Sequence, residues 1–344
     1  MPLAARIHAA KDLRIEEIEL VPPGANQVQV SIKAGGICGS DLHYYNHGGF
    51  GTIRIKEPMV LGHEVAGVIA AIGTNVKGLR VGQKVAVNPS RPCNACLYCL
   101  EGKQNHCSDM MFYGSAMRFP HVQGAFRSEL ICEASQVIPV GDNISLSELA
   151  FAEPLAVCLH AIRRAGDLIG KRVLITGAGP IGSLCVLAAR RAGAAQIVVT
   201  DVVDQTLALA KKIGADATVN TAKAPEGLQS YELNKGYFDV VLEASGNNSA
   251  FNSALACVRP RGILVQVGLG GEFTLMMNTI VAKELDLRGT FRFHEEFATA
   301  VNFICENLVD VRPLLTETVP LNEAVRGFEL ANDRTRAMKV QISF

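Results

Sequence analysis

The sequence has no net charge, no long unbroken apolar run, and no repeat or low-complexity segment. Each absence removes a class of function. Lys and Arg together number 33, as do Asp and Glu, so no strong field draws the chain toward nucleic acid or an anionic membrane. The most apolar region, VLITGAGPIGSLCVLAARRAGAAQIVVT, is interrupted by glycines and by Arg190 and Arg191, which does not suit a bilayer span. The opening residues, MPLAARIHAAKDLRIEEIEL, offer no apolar core with a cleavage site, so no secretory signal is expected. These readings lead to the expectation of a soluble cytoplasmic protein whose thiols stay reduced. Its 344 residues suffice for about two domains, each with its own core.

What is present begins with ten cysteines, four of them in CNACLYCLEGKQNHC. Cys93, Cys96, Cys99 and Cys107 are spaced C-x2-C-x2-C-x7-C. In a reducing compartment such a group points to a metal rather than to disulfides. Four thiolates satisfy tetrahedral zinc and leave no open position for a substrate. An iron–sulfur cluster competes, because three cysteines at this spacing occur in bacterial ferredoxins. The fourth cysteine comes too late for that pattern, and Ser108 follows it instead of proline. A zinc ribbon that binds nucleic acid is disfavoured, since only Arg91 and Lys103 lie close by. The cluster is expected to be a structural zinc staple, and the chemistry must lie elsewhere.

Residues 1 to about 150 contain short β-branched runs such as VQVSI and KVAVN among glycines and prolines, the text of an irregular, mostly antiparallel β domain. From Lys171 strands and helices alternate: RVLIT, GAGPIG, SLCVLAARRAGA, QIVVT, then DVVLEA and ILVQVG. That pattern predicts a parallel α/β sheet. Gly177, Gly179 and Gly182 follow a strand and open a helix, with Pro180 in its first turn. This is the turn that cradles a dinucleotide pyrophosphate, and Asp201 at the end of the next strand is placed to accept from the ribose hydroxyls. The next basic residue after Asp201 is Lys211, which favours NAD over NADP. Alone, a glycine-rich turn and a capping Asp would carry little weight.

In the first domain Cys38, in GGICGSDLHYY, and His63, in VLGHEVAGVIAAIG, each stand beside a glycine. A thiolate and an imidazole suit zinc, and Glu64 or Glu153 could supply a carboxylate. Taken singly they are equally well a core cysteine, a turn histidine and surface acids.

Together these motifs resemble one family over essentially the whole chain: the zinc-containing medium-chain dehydrogenases/reductases, in the polyol (sorbitol-type) branch. Gly62-His63-Glu64 with Gly67 and Gly73 matches the family's zinc signature, and the four-cysteine lobe and GAGPIG follow in the expected order. The resemblance implies an α/β chain with a GroES-like catalytic domain over residues 1–152, carrying the zinc lobe at about 88–110. It further implies a Rossmann domain over 153–288 and a segment 289–344 that completes the catalytic domain. It makes Cys38 and His63 ligands of a catalytic zinc, with Glu64 binding directly and Glu153 holding the zinc-bound water or ligating in another state. Alcohol dehydrogenases place a cysteine where this chain has Glu153, which supports the polyol branch.

The same resemblance implies oxidation of a secondary hydroxyl of a sugar acid, L-idonate at C5, by NAD, with sorbitol or xylitol as the alternative. Ser40 or the Glu153-held water would carry the proton, with His43 as an outer relay. Tyr44, Phe119, His121, Arg292 and Phe293 would line the substrate pocket, with Arg292 the leading group for a carboxylate. Ile181, Val267, Gly268, Leu269, Phe291 and Arg292 would join the glycine turn in holding NAD. Thr206 departs from the family, where an arginine often faces the ribose. No nucleic-acid or membrane partner is expected, and assembly as a homodimer or homotetramer is.

Overall fold

The computed structural model describes residues 1–344. Two large sheets form its framework. In the first, the strands run Val137–Pro139, Lys84–Val87, Glu64–Ile72, Gln27–Gly36, Lys339–Ser343 and Leu315–Pro320, with Glu129–Glu133 also paired to Gln27–Gly36. All of these pairings are antiparallel except that of the last two strands. The alternation in VQVSI is a strand with one face buried: Val28, Val30 and Ile32 are fully enclosed while their neighbours are not. The final strand, Lys339–Ser343, pairs with Gln27–Gly36 near its C-terminal end. The end of the chain is thereby stitched beside Cys38.

The second sheet is wholly parallel, ordered Ala217–Asn220, Gln196–Asp201, Arg172–Thr176, Phe238–Glu243, Val258–Gln266, Asp286–Gly289. Its central strands are near-continuous apolar runs because helices cover both faces. The order reverses between Arg172–Thr176 and Phe238–Glu243, and a crevice for a ligand forms at the C-terminal ends of strands at such a switch point. No helix is long and apolar enough to cross a membrane.

The helix Ala152–Ala165 runs between the two sheets with ten of its fourteen residues buried. Its first turn carries Glu153 toward the first sheet, and its apolar face joins the core of the second. One helix therefore fixes the distance between the two halves of the site.

Candidate active site

Cys38 caps the helix Gly39–His47, and His63 and Glu64 open the strand Glu64–Ile72. One ligand atom from each of Cys38, His63 and Glu64 lies within 4.8 Å of the others. Both turns are held by a residue that the spacing of the motifs does not single out, Asp41. Its Oδ2 accepts from the Cys38 N–H at 3.0 Å and its Oδ1 from the Gly62 N–H at 3.1 Å, and the side chain is fully buried. The same Oδ1 stands 3.8 Å from His63 Nδ1, a buried nitrogen with no hydrogen-bond partner. A carboxylate behind a ligating imidazole orients the ring and raises its basicity. Thiol, imidazole and carboxylate brought together in this way suit zinc.

A second unforeseen group is Lys339. It is 3 % exposed and its ammonium pairs with Glu64. Burial works against that charge, but the carboxylate of Glu64 and its acidic neighbours outweigh burial and hold the pKa above the ordinary value. Room for the pair comes from Gly36, where an added Cβ would stand 2.2 Å from Glu64 Oε2. Glu64 thus belongs both to the triad and to an ion pair. Glu153, 5 % exposed, lies outside the triad's 4.8 Å circle. Burial pushes its carboxyl up to about 8, Glu64 and Cys38 adding to the effect while His63 and Lys339 oppose it. Burial likewise raises the Cys38 thiol to about 12, with Glu64 adding; a bound cation reverses that, because a coordinating thiol is deprotonated outright.

Ser40 lies in the first turn of the helix that Cys38 caps. His43 is exposed, with its ring against Phe50 at 5.8 Å and His47 at 6.2 Å. Tyr44 is buried, and its hydroxyl accepts from the Ala116 N–H at 2.9 Å. Arg292 has φ +53°, uncommon for a residue with a side chain. That backbone turn lays its guanidinium over the Phe112 ring at 4.3 Å, and Phe112 in turn packs on His63 at 5.5 Å. Burial lowers the Arg292 pKa to about 10, against the pull of Glu153 and Tyr44, and no carboxylate pairs with it. Two expected pocket residues are otherwise engaged. Phe293 is 1 % exposed and stacks on Phe297 inside the larger core, because the same backbone turn that aims Arg292 at the site sends Phe293 inward. His121 accepts from the Lys56 N–H at 2.8 Å through Nε2 and bonds the Arg118 carbonyl at 2.7 Å through Nδ1, which leaves no free ring nitrogen. Phe119 is exposed beside it.

The cofactor crevice is built as its glycines require. Gly177 has φ +87°, and a Cβ on Gly182 would stand 1.7 Å from the Gly177 carbonyl oxygen. Gly179 caps the helix Pro180–Arg191, which Pro180 and Ile181 begin. Asp201 ties this turn to the next strand: Oδ2 accepts from the Ala178 N–H at 2.6 Å, Oδ1 from Val202 at 2.6 Å and Val203 at 3.0 Å. Thr206 is buried, bonded to the Val203 carbonyl. Across the switch point the fully buried Glu243 accepts from Thr176 Oγ1, the Ser245 and Gly246 N–H groups and Gln266 Nε2. The Val267 and Gly268 N–H groups bond its carbonyl oxygen at 2.8 Å, so one residue fixes both turns lining the crevice, including Val267-Gly268-Leu269. Nothing in DVVLEA announces that role.

The four clustered cysteines also converge, their sulfurs within 4.8 Å of one another. Backbone N–H groups point at them: Ala95 and Cys96 at Cys93 Sγ, and Cys93 and Asp109 at Cys107 Sγ, all within 3.5 Å. Such donors stabilise sulfur in its thiolate form, as a closed zinc site needs. The lobe also touches the crevice, for Asn105 Nδ2 donates to the Phe291 carbonyl at 3.0 Å and the His106 ring stacks on Phe291 at 6.0 Å.

A GroES-like sheet, a dinucleotide crevice, a thiolate–imidazole–carboxylate triad and a four-sulfur lobe define a zinc dehydrogenase. The chain belongs to the zinc-containing medium-chain alcohol dehydrogenases, in the sorbitol dehydrogenase branch, and is zinc- and NAD(P)-dependent. Residues 24–142 match the alcohol dehydrogenase GroES-like domain and residues 180–306 the zinc-binding dehydrogenase family. It is similar to the L-idonate 5-dehydrogenase (NAD(P)(+)) of Escherichia coli K12, 47% identical over 93% of this chain and 92% of that one. The crystal structure of the L-idonate 5-dehydrogenase from that species superposes with a TM-score of 0.96 and 44% identity, covering 100% and 98% of the two chains. Human sorbitol dehydrogenase is 36% identical over 95% of this chain and 92% of its own.

Asp41 carries a direct expectation. Asp41→Asn leaves one acceptor where two N–H groups converge, and should weaken zinc binding at the triad by about 10–100-fold, measured by competition with a chromophoric chelator. Unchanged affinity would show that Asp41 supports only the backbone.

Proposed function

We propose that the protein oxidises the C5 hydroxyl of L-idonate to 5-keto-D-gluconate with NAD, reversibly. The observation that supports the sugar acid is Arg292: a guanidinium over Phe112, near Glu153 and Tyr44, that forms no ion pair with a carboxylate of the chain. A substrate carboxylate would meet it in two parallel hydrogen bonds. The relative at 47% identity is named for L-idonate, in keeping with this. Preference for NAD is supported by the buried Asp201 carboxylate, which would repel a 2′-phosphate, and by the absence of any cation at Thr206.

Cys38, His63 and Glu64 would hold zinc, which when bound supplies a Lewis acid that favours ionisation of a hydroxyl, and the nicotinamide supplies a hydride acceptor. The residues around it manage protons and position. Ser40, in the first turn of the helix that Cys38 caps, would relay a proton from a hydroxyl at the triad. Glu153, buried close to the triad, would hold a water through which a proton leaves the site. Phe112 and Tyr44 keep water from the face of the site that Arg292 closes.

We take residues 1–152 and 289–344 as the catalytic domain and 153–288 as the cofactor domain, a division supported by the return of Lys339–Ser343 to the first sheet. Assembly as a dimer or tetramer is supported by the open edge strand Asp286–Gly289 and the exposed Met277, Val281 and Leu287 beside it.

Sorbitol or xylitol is the second reading, favoured by the likeness to human sorbitol dehydrogenase. Arg292→Ala separates the two. A charge-assisted contact contributes on the order of 1.5–3 kcal/mol, so kcat/KM for idonate should fall about ten- to a hundredfold more than for sorbitol. Equal losses on both substrates would assign Arg292 to a hydroxyl or to the cofactor loop.

A further inference from the structure

The glycine turn has a cation above it that belongs to the other half of the molecule. Arg334 lies between the helix Ala324–Asn332 and the strand Lys339–Ser343. Its Cζ and Nη1 each stand 3.8 Å from the point a Cβ on Gly179 would occupy, and no other heavy atom comes within 4 Å of that point. That point matters chemically. The residue is glycine so that a pyrophosphate can approach the backbone where a side chain would stand. The guanidinium therefore borders the space that the phosphates enter.

Arg334 is free to act there. Its chain neighbour Asp333 gives its Oδ1 to the Thr335 N–H at 3.0 Å and the Thr335 hydroxyl at 2.6 Å, and its carbonyl to the Arg336 and Ala337 N–H groups, each at 3.0 Å. These bonds fix a tight turn with Arg334 at its tip. The Arg334 side chain is exposed and makes no hydrogen bond or ion pair. The cofactor half supplies no competing cation: from Thr176 to Ala189 the sequence TGAGPIGSLCVLAA contains neither Lys nor Arg, and neither does DVVDQT after it. On that side a pyrophosphate meets only backbone N–H groups and the helix N-terminus, each a partial charge.

We propose that Arg334 is a cofactor-binding residue, its guanidinium gripping the pyrophosphate of NAD(P) from the catalytic half while the glycine turn holds it from the other. The dinucleotide then bridges the two sheets through its phosphates as well as through its nicotinamide. The inference rests on the dinucleotide site and is independent of which sugar acid or polyol reacts.

The test is binding without substrate, on the zinc-loaded protein. The chain has no tryptophan, so NADH fluorescence is read without interference, with ADP-ribose and adenosine as competitors. Arg334→Ala should weaken NADH and ADP-ribose by about ten- to a hundredfold, as expected for a charge-assisted contact. Adenosine, which has no phosphate, should bind as to the wild type, and Arg334→Lys should recover part of the loss. Arg336→Ala, in the same turn, should bind all three normally. Wild-type affinity of Arg334→Ala for ADP-ribose would overturn the proposal. So would an equal loss for adenosine, or a loss as large in Arg336→Ala, either of which would trace the effect to the turn's structure or to general surface charge. Failure of the wild type to bind NADH would instead count against the dinucleotide site itself.

Discussion

Cys38→Ser should abolish turnover and leave the fold and NADH binding nearly intact. The substitution touches only the open metal site. The backbone there is held by Asp41, whose bond to the Cys38 N–H does not involve the thiol, so the helix Gly39–His47 still starts in place. A serine hydroxyl is a hard, un-ionised oxygen, whereas zinc here needs the charge and softness of a thiolate. Losing the metal removes a Lewis acid that lowers the barrier by several kcal/mol, so kcat/KM should drop by about a thousandfold or more. Zinc per chain should fall from about two to about one, and Tm should change little. NADH should still bind, because the glycine turn, Asp201 and Glu243 are built from the other sheet. A Cys38→Ser protein that kept two zinc ions and its activity would place the catalytic metal somewhere else.

The triad was legible through the family resemblance that the Gly62-His63-Glu64 signature carries, and GAGPIG because strand, turn and helix are consecutive in the chain. The four cysteines also fall within one loop. What the sequence concealed depends on contacts between distant segments. Nothing in AMKVQISF marks Lys339 as the partner of Glu64, because that pairing exists only once the last strand lies beside Gln27–Gly36. Glu243 reads as one acid at a strand end, and its role follows from two turns meeting over it. Arg292 and Phe293 are adjacent in sequence yet face the site and the core respectively, a division set by a positive φ that composition does not encode. His121 is chemically able to bind a carboxylate, but two backbone groups already occupy its ring. Residue type can be read from a sequence; prior engagement of a side chain cannot.

Cys99→Ser should behave in the opposite way from Cys38→Ser, with one added consequence. The closed site contributes folding free energy directly, since its thiolates are brought together only with the metal in place. Cys99 is 5 % exposed, and burial, with the neighbouring Cys96, Cys107 and Cys93 sulfurs adding, raises its thiol to about 12, so the ion is what makes it a thiolate. With one ligand gone, zinc should again fall to about one per chain. This time Tm should drop and a protease should cut within the lobe, between residues 93 and 107. The lobe also pins the crevice loop through Asn105 Nδ2 to the Phe291 carbonyl and through the His106 ring. Its unfolding should therefore loosen Phe291 and Arg292 and weaken NADH as well. Asn105→Ala isolates that term: it removes one hydrogen bond, leaves both zinc ions, and should weaken NADH by roughly fivefold for a bond worth about 1 kcal/mol. A Cys99→Ser protein with an intact lobe, full stability and no turnover would reverse the roles of the two metal sites. Normal NADH affinity in Asn105→Ala would reduce the lobe to a staple with no hold on the crevice.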